Sequence, residues 1–302
     1  MKIAELSMTF LTANQQNFRA NTRLAYGYDL TLFSRTFPDL DVTAITIDHL
    51  RAFLYATADM APSTLARRQA TLRSCFGWAY RNDLIPVDPT AKLDPIKVPA
   101  RDPRPLTERQ VEAILAAIPG TDQRNRLLFT LLYETGMRVG EAITITRADL
   151  ALNPTDGGII RVVGKGQKER VVPLITAPRS LRMLRTLLKQ DHGLGPLFRG
   201  DQMKGSHPGD AMHRTTVFYH FERYVALAQM RNPDLFDGKT EPITIHRLRH
   251  TYATMQLRDG VSLPTLRKLL GHQNLQTTLR YAETDVEQIK EELAAARRRH
   301  RR

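Results

Sequence analysis

Apolar side chains recur along most of this chain at spacings of three and four, the period at which residues return to one side of an α-helix. Within residues 1–90, Leu24, Tyr28 and Leu32 recur every four, and Ile47, Leu50, Phe53 and Leu54 follow Thr46, a residue type that caps helix starts. From about Ser63 to Asn82, Leu65, Leu72, Phe76 and Ala79 share one face while Arg67, Arg68, Arg73 and Arg81 fall elsewhere, which predicts an amphipathic helix with a basic exterior. Nothing in this region alternates as a strand does. DPIKVPARDPRP, Asp94 to Pro105, then places four prolines in twelve residues, disfavouring helix and sheet alike, and reads as a semi-rigid connector between domains.

Beyond the connector, Thr107 with Gln110 three residues later has the form of a capping box opening a helix through Ile118, and Arg124 to Thr135 reads as a second helix ended by Gly136. The period changes at Gly158. IIRVV and RVVPL are short β-branched runs separated by GKGQKE, a β-hairpin with lysines at its tip. Helical spacing returns over Arg179–Gln190, Met212–Met230, His246–Arg258, Leu263–Leu270 and Leu275–Tyr281. The expectation is a mainly α chain with one small antiparallel sheet.

Size and charge sharpen this picture. A chain of 302 residues suits two domains better than one core. Residues 1–103 carry 12 basic and 10 acidic side chains, so of the net charge of +13 only +2 lies there and +11 falls on residues 104–302. A polyanion is the expected partner, and the second domain the part that meets it. The end AAARRRHRR supplies five arginines, and without it the charge would still be +8. The longest apolar runs, such as LLFTLLY from Leu127, are too short to span a bilayer, and the N-terminus lacks a basic-then-apolar signal, so a soluble, cytoplasmic chain with no membrane partner is expected. The single cysteine, Cys75, excludes an intrachain disulfide, and among Phe76, Trp78 and Tyr80 it reads as a buried structural thiol.

Several residues of the second part could carry chemistry, though each has an ordinary structural reading. Arg138 in TGMRVGE could form no more than an ion pair with Glu141. His246 and His250 stand four apart, a spacing that can chelate zinc, but Arg247 occupies the position where a metalloprotease needs glutamate, so no metal site is expected. GKG suggests a phosphate loop, yet Ile159 stands where its first glycine belongs and Gln167 where a Ser or Thr would bind magnesium. Tyr281 alone would be a packed tyrosine. What stands out is their order: an arginine, a lysine (Lys165), His246-x-x-Arg249, a Gly-His at His272, and a tyrosine nine residues later.

In this order the chain resembles the tyrosine recombinase (phage integrase) family, most nearly its compact Xer-like members, from roughly Asn21 to Ala282. The motifs that carry the resemblance are YGYDLTLF (Tyr26–Phe33), ETGMRVGEAI (Glu134–Ile143), VVGKGQKERVVP (Val162–Pro173), IHRLRHTYAT (Ile245–Thr254) and LLGHQNLQTTLRYA (Leu269–Ala282). Arg138, Lys165, His246, Arg249, His272 and Tyr281 fall on the family's six catalytic positions, and Glu141 on the acidic position that buttresses the first arginine. None of the six is substituted.

The resemblance implies a site-specific recombinase that cuts and rejoins duplex DNA through a 3′-phosphotyrosine, in integration and excision or in dimer resolution. Tyr281 would attack phosphorus, Arg138 and Arg249 would clamp the non-bridging oxygens with help from His272, His246 would act as base, and Lys165, with Lys168 as rival, as general acid. No cofactor is implied, because the phosphotyrosine preserves the bond energy. A helical, SAM-like, four-helix core-binding domain (1–95), a proline-rich linker (96–105), a mostly helical catalytic domain with a small antiparallel sheet (106–290) and a basic tail (291–302) are expected. Arg67, Arg68 and Arg73 would contact DNA. The partners implied are double-stranded DNA with inverted-repeat half-sites and three further copies of the chain in a tetramer exchanging segments such as Val286–Ala296, with room for a paralogous recombinase or accessory proteins. Two other readings stay open at this point: a sequence-specific DNA-binding protein without catalysis, and a type IB topoisomerase-like relaxase.

Overall fold

The computed structural model describes residues 1–56, 60–99, 105–154, 157–164, 169–200, 209–236 and 242–271. The chain divides into two units, Met1–Arg101 and Asp102–Arg302. Both are dominated by helices.

The first unit is built from α1 (Ile3–Ala13), α2 (Ala20–Thr36), α3 (Ile47–Tyr55) and α4 (Pro62–Arg81). Pro62 opens α4 at its first position, where the missing amide hydrogen costs nothing and the fixed φ already suits a helix. At the start of α3 the Thr46 amide donates to His49 Nδ1 at 3.2 Å, which satisfies one of the helix's orphan donors. The core gathers Phe10, Phe33, Phe53 and Phe76, with the Phe33 ring edge-on to Phe53 at 5.0 Å and to Phe76 at 6.0 Å. Cys75 is buried beside them, and burial pushes its thiol up to about 12, so it is an inert part of the core.

On α2 the observed buried stripe differs from the expected one. Leu24 and Tyr28 are 70% and 66% exposed, while Asp29, Leu30 and Phe33 turn inward. Two stripes of similar spacing coexist on this helix, and the ring contacts of Phe33 with α3 and α4 select between them.

After α4 the chain is irregular, and α4 itself holds it in place. Gln69 donates to the Asp94 carbonyl at 2.7 Å and accepts from the Ile96 amide at 3.2 Å. Arg73 donates to the Leu93 carbonyl.

The second unit contains α5 (Glu108–Ala116), α6 (Gln123–Thr135), α7 (Val139–Ala142), strands β1 (Leu150–Ala151), β2 (Ile159–Val163) and β3 (Glu169–Pro173), then α8 (Pro178–Gln190), α9 (Arg214–Arg231), α10 (His246–Arg258) and α11 (Leu263–Leu270). Thr107 and Gln110 form the capping box read from the sequence, each side chain accepting from the other's backbone amide at 3.2 and 3.0 Å. Helix α6 is buried all round, from Asn125 through Leu127–Tyr133 to Thr135, so it is the axis of the unit's core rather than a surface helix. The strands form an antiparallel sheet in the order β1-β2-β3, with Ile159 opposite Pro173 and Val163 opposite Glu169. The hairpin is the expected one; β1 and the single-turn α7 are elements that the hydrophobic pattern does not announce. Among the described residues no helix is long and apolar enough to cross a membrane.

Candidate active site

The site begins where α6 ends. Gly136 closes that helix with φ +62°, and a Cβ there would lie 2.3 Å from the Tyr252 ring of α10. Only glycine allows both the left-handed turn and this close approach. The turn delivers Arg138 to the start of α7, where its amide donates to Glu141 Oε2 at 2.8 Å and its Nη1 to Glu141 Oε1 at 3.0 Å.

Helix α10 brings the next pair. Arg249 is almost wholly buried, and its guanidinium donates to the Gly136 carbonyl at 2.5 Å and the Leu270 carbonyl at 2.6 Å. Arg138 reaches the same helix end, at 3.5 Å from the carbonyls of Leu270 and Gly271. The last carbonyls of a helix have no intrahelical donor and carry its negative end, so the terminus of α11 is a natural seat for guanidinium groups. One turn before Arg249, His246 opens α10. Burial, then the positive potential of Arg249, Arg138 and Arg214, hold its ring below the usual histidine value. His246 is therefore neutral at pH 7 and can accept a proton. His250 is pushed down to about 4 by burial and by the charges of His246, Arg249 and Arg247.

Glu141 is a buried carboxylate that both Arg138 and Arg170 contact. Burial alone would raise its pKa, but hydrogen bonds and charge from Arg170, with the amide and guanidinium of Arg138, bring it down to about 2. Arg170 of β3 forks onto both oxygens at 2.8 and 2.7 Å and donates from Nε to the Leu269 carbonyl at 3.0 Å. Arg170 lies inside the quoted VVGKGQKERVVP motif without having been singled out; its signal is a charged residue on a strand whose neighbour Val172 is core. Arg214, whose side chain passes 3.8 Å from a Cβ built on Gly140, was likewise missed.

The fold thus brings together Arg138, Glu141, His246 and Arg249 from α7 and α10. Lys165, Lys168, His272 and Tyr281 lie outside the described residues, as do the helix read over Leu275–Tyr281, the segment Val286–Ala296 and the arginine-rich tail.

In the first unit, the three arginines expected to face DNA are held by protein groups. Arg67 pairs with Asp29 and is 38% exposed, so part of its head still meets solvent. Arg68 is only 10% exposed, with its guanidinium over the Phe53 ring at 5.2 Å and 3.9 Å from Asp29, and so sits in the interior rather than on the basic exterior. Arg73 is half-buried and donates from one nitrogen to the Leu93 carbonyl.

Comparison with known proteins shows the family. The model of the phage integrase family matches residues 104–288, and that of the phage integrase N-terminal SAM-like domain matches residues 12–83. The chain belongs to the phage integrase family. It is 33% identical over 287 residues to the tyrosine recombinase XerD of Proteus mirabilis, covering 91% of this chain and 87% of that protein. Tyrosine recombinases cut and rejoin DNA by transesterification, and this chain is one of them. Its fold is similar to that of a chain in the crystal structure of a lambda integrase (75-356) dimer bound to a COC′ core site, with a TM-score of 0.72 at 21% identity over 92% of this chain and 97% of that one. A lambda integrase tetramer bound to a Holliday junction matches with a TM-score of 0.72 at 19% identity over 91% of this chain and 78% of that one.

Proposed function

We propose that this tyrosine recombinase acts at a specific site of duplex DNA through a covalent 3′-phosphotyrosine at Tyr281, with Arg138, Lys165, His246, Arg249 and His272 as its catalytic partners and Glu141 as support. The observation that supports this reading best is the gathering of Arg138 and Arg249 on the last carbonyls of α11, beside a histidine kept neutral. Two guanidinium groups fixed in place before substrate arrives can stabilise charge as it develops on the phosphoryl oxygens, without reorganising at that moment.

In the step itself, the Tyr281 oxygen attacks phosphorus, a P–O bond to the tyrosine forms, and the bond to the 5′ oxygen of the next nucleotide breaks. His246 takes the tyrosine proton, and Lys165 supplies one to the departing 5′ oxygen, with His272 donating to a non-bridging oxygen. The reverse step, with a 5′ hydroxyl from another strand, joins new partners without a nucleotide cofactor.

The domains proposed are a core-binding domain over 1–95, a linker over 96–105, a catalytic domain over 106–290 and a basic tail over 291–302. Arg67, with its partly exposed head, is the best placed of the three α4 arginines for a phosphate. The working form is a tetramer on paired inverted-repeat half-sites of cytoplasmic, nucleoid DNA, in integration and excision or in dimer resolution. The family tetramer on a Holliday junction supports the assembly.

The test is covalent capture. The protein and its Tyr281→Phe variant are incubated with fragmented DNA of the encoding organism and quenched in denaturing detergent, and attached fragments are sequenced. Attachment that needs Tyr281 and converges on one inverted repeat is the expected result. Binding without adduct reduces the chain to a DNA-binding protein, and Tyr281-dependent adducts scattered over many sequences make it a relaxase of the type IB kind.

A further inference from the structure

The buried carboxylate of Glu141 serves two arginines, and it serves them unequally. Arg170 takes one oxygen with each of its two terminal nitrogens, at 2.8 and 2.7 Å, which is the strongest geometry a guanidinium and a carboxylate can form. Arg138 is left with a single side-chain contact to Oε1 at 3.0 Å, shared with Arg170, and two long contacts at 3.5 Å to Leu270 and Gly271. The exposures follow the same division: 12% for Arg170 and 36% for Arg138. The path of Arg170 is also cleared. A Cβ on Gly271 would lie 3.1–3.3 Å from its Cδ, Nη1 and Nε, so the glycine that caps α11 lets the guanidinium stem pass.

We infer that Arg170 is a positioning residue for DNA cleavage: by occupying Glu141 with its fork, it prevents Glu141 from closing on Arg138 and keeps the Arg138 head turned outward to the scissile phosphate. This rests on Arg138 being a phosphate clamp, as proposed above. The reasoning is electrostatic. A buried ionised carboxylate takes whatever cation is in reach, because an unpaired charge there is costly. With Arg170 absent, the cation in reach is Arg138, and a forked Arg138 would meet phosphate only by breaking that pair. Glu141 then competes with DNA, whereas with Arg170 present it anchors Arg138 by one nitrogen and its amide.

The experiment measures single-turnover cleavage at saturating DNA on a synthetic duplex carrying the captured site, at a temperature where circular dichroism shows every variant folded. Arg170→Met slows cleavage about 30-fold while affinity moves less than about threefold. Arg170→Lys keeps a cation on Glu141 but loses the fork and the bond to Leu269, and returns to within about fivefold of the unaltered protein. Adding Glu141→Gln to Arg170→Met removes the competing charge and restores about tenfold over Arg170→Met alone. If the lysine variant is as slow as the methionine variant, or the double variant is no faster than it, Arg170 merely ties β3 to α11 and the inference is overturned. Absence of adduct in the unaltered protein would instead overturn the proposed function. The Arg170 inference is then read from a crystal structure of Arg170→Met: Arg138 forked onto both oxygens of Glu141 supports it, and Arg138 unmoved refutes it.

Discussion

The two units each contain a buried carboxylate with one exposed and one buried arginine, and they divide the work in opposite ways. At Asp29 the partly exposed Arg67 makes the close contact, aided by Thr71 at 3.0 Å, while the buried Arg68 stands 3.9 Å off. Asp29 Oδ1 and Arg68 Nε have no hydrogen-bond partner among the described residues. At Glu141 the buried arginine, Arg170, takes the fork, and the exposed Arg138 keeps one side-chain contact with that carboxylate. The outer arginine is engaged in the first case and presented in the second. Which of the two arginines takes the close contact therefore sets how firmly the carboxylate holds the outer one.

The largest effect expected from this contrast is on chemistry. Arg249→Ala removes a guanidinium fixed on the α11 carbonyls and should lower cleavage at saturating DNA about a thousandfold, whereas Arg67→Ala should leave it within about threefold. Comparable losses in single-turnover assays of the two variants would break the comparison.

Stability gives the next separation. Asp29→Ala and Glu141→Ala each strand a buried guanidinium, Arg68 or Arg170, and each should cost about 3 kcal/mol in denaturant unfolding. Below both melting transitions, only Glu141→Ala should also cleave slowly, by about a hundredfold. A cleavage defect in the Asp29 variant would show that its cluster also serves the reaction.

The smallest difference lies in acid. His250 titrates near 4 in the folded protein against an ordinary 6.5, and His246 is shifted the same way. The unfolded chain binds these protons first, so stability is complete above about 6.5 and declines as pH falls toward 4. Glu141, held near 2 against 4.5, adds stability that is lost as pH falls from about 4.5 toward 2. The Asp29 cluster contains no histidine. His250→Gln should therefore shrink the stability lost between about pH 6.5 and 4.5 by about 1 kcal/mol, measured by urea unfolding at each pH. An unchanged loss would place the acid sensitivity elsewhere.

Much of this is legible in the sequence. The Thr107–Gln110 box, the helix ended by Gly136, the β2–β3 hairpin and the basic second part were all read from local chemistry: capping side chains, a residue free to take positive φ, β-branched alternation. The candidate residues were legible because their order is specific, and Arg138, Glu141, His246 and Arg249 do come together. Local patterns failed where two solutions were equally good. Leu24, Tyr28 and Leu32 form as regular a stripe as the one that is buried, and arginines spaced along α4 look alike whether they face water or Asp29.

What the sequence determined by itself is the set of parts: two helical units, one hairpin, an excess of positive charge in the second unit, and an ordered list of residues able to handle a phosphodiester. The first three follow from periodicity, propensity and charge, which act over a few neighbouring residues or over the whole composition; the last is what the resemblance to the phage integrase family implies. Only the tertiary structure decided which arginines are hidden, which one is more exposed, and that a strand residue, Arg170, forks onto the same carboxylate that holds Arg138. Those outcomes depend on distances between groups 29 to 133 positions apart in sequence. In a low-dielectric interior, such distances set where a charge can rest.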